Sequence, residues 1–182
     1  RRRARLLLAR AQLQVGKQDA ALAEAQRASE ESAAADAHAD EARALGLLGA
    51  IFLRMNQPEA AASAYEGALS AALRGGQPDF ALRQRLNLAT AALRAGRLGV
   101  ARDAIQAAMA HEPVGPDRAE LQGQRIVTAA LVALVGGELR PAAAALKVEE
   151  ALRAAREAGC PEILERYATL PARLRGAERA GS

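Results

Sequence analysis

The sequence contains no tryptophan, a single cysteine and few aromatic residues of any kind. Aromatic side chains make up 2% of its 182 residues. The rings of Phe52, Tyr65, Phe80 and Tyr167 are too few and too dispersed to form the stacking platforms that bind single-stranded nucleic acids. Cys160 alone cannot form an internal disulfide or a cysteine-based zinc site, and a lone thiol suits a reducing compartment. We therefore expect a cytoplasmic protein.

Long apolar runs and recognisable catalytic motifs are also absent. The leucines near the amino terminus are interrupted at Arg10 and Gln12, so this run is far shorter than a membrane span. His38 and His111 are far apart, no serine has a histidine at a helical spacing, and neither a dinucleotide-binding nor a P-loop glycine pattern occurs. We expect a protein that is not an enzyme, with no catalytic residue, no metal, no cofactor and no membrane partner.

Alanine and leucine instead carry most of the 51% hydrophobic content, a composition that is typical of closely packed helices. No segment alternates apolar with polar residues over the length of a strand. Small residues and turn-forming residues recur in register, with steps of 40, 40 and 41 positions. The three series are Ala9, Gly49, Ala89 and Ala130; Ala21, Ala61, Ala101 and Ala142; and Gly16, Asn56, Gly96 and Gly137. This agreement predicts one supersecondary unit that is copied along the chain.

Each unit is predicted to contain two helices, A and B, because apolar residues recur at spacings of three and four on both sides of the turn residue. Glycine, or Asn56 in the second unit, is expected in the left-handed conformation where helix A ends. Pro58 and Pro141 fit the first turn of a B helix. The predicted helices cover residues 2–15, 18–34, 38–55, 58–74, 78–95, 98–110, 116–135 and 139–158.

A last predicted helix, residues 162–177, forms either a partial repeat or a cap, and we expect Pro171 to kink it. The whole chain, residues 1–182, is thus predicted to form a single helical-repeat domain. Its repeats are residues 2–34, 38–74, 78–110 and 116–158.

The repeat pattern resembles the tetratricopeptide repeat, and the third unit, with Ala89, Gly96, Ala101, Ile105 and Ala108, matches it best. The unit length is similar to that of the long variants in kinesin light chains and in sensor regions of bacterial transcription activators and signalling ATPases. The resemblance implies an all-α fold, a right-handed α–α superhelix of about four hairpins with a capping helix, whose A helices line the concave face. The consensus tryptophan of helix A is replaced by Arg5, Leu45, Arg85 and Ile126.

Arginine recurs on the predicted exposed face of helix A, at two repeat positions. Guanidinium groups in a row suit carboxylates or phosphates, because they donate bidentate hydrogen bonds to both. The candidate ligand-binding residues are Arg3, Arg43, Arg83 and Gln124 at one repeat position, Arg54 and Arg94 at another, and Arg10 and Asn87 nearby. The alternative is that these are solvated arginines, some of them paired with acids of the next unit.

Two functions follow from these predictions. The first is a noncatalytic protein-interaction scaffold that binds an acidic or extended peptide segment in a concave, arginine-lined groove. The alternative is an effector-sensing or oligomerisation region of a larger bacterial transcription activator or signalling ATPase. The absence of an initiating methionine before the first helical pattern slightly favours this alternative. Nucleic-acid recognition is disfavoured because 25 basic residues face 21 acidic ones, for a net charge of +4. Self-association stays open.

Overall fold

The computed structural model describes residues 1–114 and 116–180 of the chain, and side chains as far as residue 177. Within this part of the sequence the protein forms helices and no strand. The helices are α1 (Arg2–Gln14), α2 (Gln18–Ala33), α3 (His38–Arg54), α4 (Pro58–Arg74), α5 (Pro78–Arg94), α6 (Leu98–Met109), α7 (Arg118–Val135), α8 (Pro141–Glu157), α9 (Pro161–Tyr167) and α10 (Leu170–Ala180). The predicted all-α class is confirmed, and most helix ends lie within one residue of their predicted positions.

The chain divides into two compact units, one spanning Arg1–Gly96 and the other beginning at Arg97. In the first unit, α1 packs against α2, α2 against α3, α3 against α4 and α4 against α5, and α1 also contacts α3. In the second unit, α6 packs against α7 and α7 against α8, while α8 also contacts α9 and α10. Each unit is therefore an array of helical hairpins packed in chain order. The single domain over residues 1–182 stays a prediction.

The turn residues adopt the backbone conformation that the sequence predicts for them. Left-handed φ angles close the A helices, at +79° for Gly16, +56° for Asn56, +73° for Gly96 and +76° for Gly137. At Asn56, the neighbouring amide of Gln57 donates a 2.8 Å hydrogen bond back to a carbonyl in the last turn of α3. Such bonds satisfy carbonyl groups that a helix end otherwise leaves unpaired.

Small side chains form most of the core between the helices. In the first unit, the alanines of α2 pack with the leucines of α1 and α3. These alanines are fully buried, and so are the alanines in the middle of α4. Because alanine occupies little volume, adjacent helices approach closely and their contacts are dense. The buried small residues of α2 and α4 include Ala21, Ala25, Ala28, Ala61, Ala68 and Ala71.

Arg5 joins α1 to α2 by ion pairs. Its guanidinium group donates hydrogen bonds to Glu24 at 2.8 Å and to Glu31 at 3.0 Å. These bonds raise the pKa of Arg5, with the bond to Glu24 as the largest cause. Charged side chains therefore connect the two helices of the first hairpin.

The carboxyl-terminal segment differs from the prediction, because the expected kinked helix over residues 162–177 is two helices. Helix α9 ends at Tyr167, and α10 begins at Leu170. The proline ring clashes with the carbonyl group four residues before it, which here belongs to Tyr167, and in this chain the clash is relieved by a break between the two helices and not by a kink. Pro171 then lies at the second position of α10, where its missing N–H leaves no acceptor unsatisfied.

Candidate functional site

The first unit contains an open groove of about 440 Å³ between its A helices. Helices α1 and α3 supply most of the lining, and α5 contributes one aromatic ring. Hereafter "the groove" means the surface formed by Arg3, Leu6, Leu7, Arg10, Asp40, Arg43, Leu47 and Phe80. Three of the residues predicted to bind a ligand, Arg3, Arg10 and Arg43, therefore lie together.

Helical periodicity brings the charged and apolar residues of the groove onto the same faces. Arg3, Leu7 and Arg10 follow one another at spacings of four and three in α1, so they form one stripe of that helix. Arg43 and Leu47 repeat the first part of this stripe in α3, at the equivalent repeat positions. Leu7 is 67% exposed, so its side chain is accessible to a ligand. The groove thus combines accessible apolar surface with guanidinium groups.

One end of the groove is organised around Asp40, in the first turn of α3. Three arginine side chains, Arg2, Arg3 and Arg43, surround this carboxylate; we call these four residues the arginine cluster. The nitrogen-to-oxygen distances to Asp40 are 3.8 Å from Arg2, 3.6 Å from Arg3 and 3.4 Å from Arg43. The side chain of Asp40 is 14% exposed, whereas that of Arg3 is 84% exposed. The cluster therefore holds a partly buried anion under accessible cations.

Arg54, which was predicted to bind a ligand, makes a structural contact. Its Nη1 atom donates a 2.8 Å hydrogen bond to the backbone oxygen of Leu13, in the last turn of α1. The last carbonyl groups of a helix have no partner within it and carry partial negative charge, so a guanidinium group stabilises them. Arg54 thereby ties the end of α3 to the end of α1.

The remaining predicted residues lie outside the groove. Arg83 and Asn87 are half-buried on α5, and Arg94 is exposed in the last turn of that helix. Gln124 belongs to α7 in the second unit, where its side chain is only 1% exposed. The structure therefore brings together three of the eight predicted residues, and the binding role of all eight stays a prediction.

The apolar part of the groove and the acidic centre of the arginine cluster are not among the residues predicted from the sequence. Leu7 and Leu47 each follow an arginine of the predicted row by four residues, and this spacing could have indicated a mixed surface. Asp40 lies three residues before Arg43, which is also a helical contact spacing. Nothing in the sequence places Phe80 of α5 beside α1.

The described residues offer little reactive chemistry elsewhere. They contain no group of three or more histidine, cysteine or acidic side chains placed to hold a metal ion. Burial, and then the negative charges of Glu162, Glu120 and Asp117, raise the pKa of the Cys160 thiol, so this cysteine is a weak nucleophile at neutral pH. No described helix has both the length and the apolar character needed to span a bilayer.

The chain was compared with protein-family models, curated protein sequences and solved structures. None of these comparisons gives a match.

Proposed function

We propose that the protein is a noncatalytic interaction module whose groove binds an acidic peptide segment that also carries an apolar side chain. The single observation that carries this proposal is the exposed Leu7 between Arg3 and Arg10 along α1, in the same groove as Arg43 of α3. A peptide is the ligand that most simply presents carboxylates and an apolar group at fixed spacing.

Charge complementarity favours an anionic partner. Arg3, Arg10 and Arg43 line the groove, and Asp40 is the acidic residue in that lining. The groove is therefore net positive even after this internal pairing. Arginine also donates paired hydrogen bonds to a carboxylate, which adds directional recognition to the attraction between charges.

The spacing along α1 suggests how such a peptide is arranged. Leu7 and Arg10 lie about 6 Å and about 10 Å beyond Arg3 along the helix axis, at 1.5 Å per residue. An extended peptide advances about 3.3 Å per residue, so these distances correspond to about two and about three residues. The best ligand would then have an acidic residue, an apolar residue about two positions later and a second acidic residue next to it.

The likeness to tetratricopeptide repeats supports the same function, since helical-repeat proteins commonly bind extended segments on the surface made by their A helices. Three features support this likeness: the hairpin arrays of both units, the left-handed turn residues and the small residues at the helix crossings. Membership of that family, the right-handed superhelix, a bacterial signalling role and a cytoplasmic location are parts of this proposal.

The test is a binding titration with a fluorescent peptide that contains glutamate, leucine and glutamate at these spacings, over a series of salt concentrations. We expect binding to weaken as salt rises, because screening reduces attraction between exposed charges. The variant Arg10→Gln should weaken binding by about tenfold, equivalent to about 1.4 kcal/mol. The variant Leu7→Ser should weaken the binding of the same peptide and leave its salt dependence unchanged.

Arg27→Gln is the matched control, because it removes an equally charged, exposed side chain from α2, outside the groove. This variant should bind the peptide as the wild type does. Equal losses in Arg10→Gln and Arg27→Gln would mean that net charge alone drives binding, and the groove would then be rejected as the site. No binding by the wild type at low salt would also reject it.

A further inference from the structure

We propose that the arginine cluster at the end of the groove recognises a phosphorylated side chain and prefers it to a carboxylate. This inference rests on the proposed function, because it specifies which anion occupies one end of the same groove. The cluster contains the guanidinium groups of Arg2, Arg3 and Arg43 and the carboxylate of Asp40.

The charges of the cluster are the first argument. Three guanidinium groups face one carboxylate, so the cluster has a net charge of +2. Glu31 lines the neighbouring cavity with Arg2 and Arg3, but its carboxylate is already paired with Arg5. The attraction of a ligand to this excess is proportional to the charge of the ligand. A peptide carboxylate brings one negative charge, whereas a phosphorylated serine brings about 1.5 to 2 at pH 7. A phosphate group can therefore neutralise the excess while Asp40 stays in place.

The geometry of the donors is the second argument. Arg3 and Arg43 both lie within 3.6 Å of the same Asp40 oxygen, so their guanidinium groups are close enough to share one further anion. Arg2 approaches the other Asp40 oxygen, at 3.8 Å. A phosphate group has three acceptor oxygens in a tetrahedral arrangement, and a carboxylate has two in a plane. Donors that converge from three side chains match the first arrangement better.

The surroundings of the cluster favour a phosphorylated peptide over a nucleic acid. The accessible Leu7 lies one helical turn from Arg3, whereas Leu47, one turn from Arg43, is only 9% exposed. A peptide that binds the cluster can place a side chain against Leu7 and bury apolar surface there. Each phosphodiester also carries a single negative charge, so it lacks the dianionic character that the cluster would select.

The experiment compares three peptides that are identical except at the residue that faces the cluster, which is serine, glutamate or phosphoserine. All retain the leucine and the second glutamate, and binding is measured at constant ionic strength by competition against one labelled peptide. We expect the phosphoserine peptide to bind about tenfold more tightly than the glutamate peptide, because phosphoserine brings about one further negative charge to a cluster with a net charge of +2. Equal affinity of these two peptides would overturn the inference.

Acidification provides a readout that a merely structural effect would not produce. The second ionisation of a phosphate monoester has a pKa of about 6, so the dianion is lost below that pH while glutamate stays largely ionised near pH 5. The preference for phosphoserine should therefore fall as pH drops from about 7 to about 5. A preference that is independent of pH would contradict recognition of the dianion.

Two variants separate this inference from the proposed function. Arg3→Gln should abolish the preference for phosphoserine, and the 84% exposure of this side chain makes it unimportant for folding. Arg10→Gln, at the other end of the groove, should weaken the binding of the glutamate and phosphoserine peptides by the same factor. The ratio of their two affinities should therefore stay unchanged. If both peptides bind equally and Arg10→Gln weakens both, the inference fails and the proposed function stands. If neither peptide binds, both fail.

The nucleic-acid alternative is an outcome of the same assay. A short single-stranded oligonucleotide and inorganic phosphate are added as competitors at the same ionic strength. If the oligonucleotide displaced the labelled peptide at concentrations as low as the phosphoserine peptide requires, the proposal of a peptide-specific site would be rejected. Weak competition by both, with the phosphoserine peptide bound tightly, would support it.

Discussion

The ring of Tyr65 in α4 lies directly against the backbone of Gly49 in α3. A Cβ atom added to Gly49 would be 2.6 Å from the Cε1 atom of the ring and 2.7 Å from Cζ. Both residues are buried, and Tyr65 is only 3% exposed. Contact of the ring with the bare helix backbone therefore sets how closely the two helices of this hairpin approach.

The first prediction is that Gly49→Ala destabilises the protein even though alanine is the better helix former. The added methyl group must displace Tyr65, and overpacking of this kind costs about 1–3 kcal/mol, against a gain of about 1 kcal/mol in helix propensity. Because the clash is with a buried ring at 2.6 Å, we expect the cost to be the larger. Urea denaturation followed by circular dichroism measures the free energy of unfolding. Adding Tyr65→Leu should recover part of the loss, because the smaller side chain makes room for the methyl group.

Gly99→Ala is the matched control for this prediction. Gly99 is also helical, but a Cβ atom at that position would meet no heavy atom within 4 Å. The change should leave the free energy of unfolding unchanged or raise it by about 0.5–1 kcal/mol, through helix propensity alone. Equal effects of the two alanine substitutions would show that the Tyr65 contact does not limit the approach of the helices.

The second prediction concerns Asn56, whose φ of +56° is the left-handed conformation that favours glycine. Asn56→Ala should lower the free energy of unfolding by about 1 kcal/mol, because a Cβ atom without a compensating polar group disfavours this conformation. Asn56→Gly should maintain or increase stability. Thermal denaturation of both variants tests the pair, and an alanine variant as stable as the glycine variant would be inconsistent with a strained turn.

Local signals explain why the sequence predicted the helices so closely. Glycine or asparagine marks the end of each A helix, and Pro58 begins α4 and Pro78 begins α5 as the boundary signals indicate. These features act within a few residues of the chain, so their effect on helix boundaries can be predicted without knowledge of tertiary contacts. The break before Pro171 is predicted from the sequence only as a kink. The clash of Pro171 with the carbonyl group of Tyr167 is also a local effect.

The candidate site was less accessible to such reasoning, because it depends on contacts between distant segments. Arg2 and Asp40 are separated by the whole of α2, and Phe80 reaches the groove from a third helix. Repeat register correctly grouped Arg3 with Arg43, since the same position in successive units faces the same side. Repeat register does not predict the hydrogen bond from Arg54 to the carbonyl group of Leu13. It predicts the helix face on which a residue lies, but not the group that a long side chain contacts.

The third prediction tests this structural role of Arg54. Arg54→Met keeps much of the apolar stem and removes the hydrogen bond to the Leu13 carbonyl, so the free energy of unfolding should fall by about 0.5–1.5 kcal/mol. Affinity for the acidic peptide should stay at the wild-type value, because Arg54 lies outside the groove. A variant with wild-type stability and weakened peptide binding would instead assign Arg54 to the ligand.

The fourth prediction concerns the loop between α6 and α7, which Arg125 ties to α7. Its guanidinium group donates hydrogen bonds to the backbone oxygen of His111 at 2.8 Å and to the Glu112 carboxylate at 3.0 Å. The bond to Arg125 lowers the pKa of Glu112. A carboxyl group with a lowered folded-state pKa stabilises the protein above its unfolded-state pKa, and this contribution disappears as the pH falls through the folded-state value.

A carboxyl NMR titration should therefore give Glu112 a midpoint below its ordinary value, and Arg125→Gln should raise that midpoint. In thermal denaturation, wild type and Glu112→Gln should differ at neutral pH and converge as the pH is lowered through the titration of Glu112. An unshifted midpoint in the wild type would show that the ion pair does not persist in solution.

The last prediction concerns Asp40, which competes with any ligand for the arginine side chains and also stabilises its own helix. It lies in the first turn of α3, where a carboxylate interacts favourably with the helix dipole by about 0.3–1 kcal/mol. Asp40→Asn should therefore lower the free energy of unfolding by about that amount. The same change removes the negative charge under Arg3 and Arg43, so the acidic peptide should bind several-fold more tightly. Both effects come from one charge, and a variant that loses stability without gaining affinity would show that Asp40 does not restrain the groove arginines.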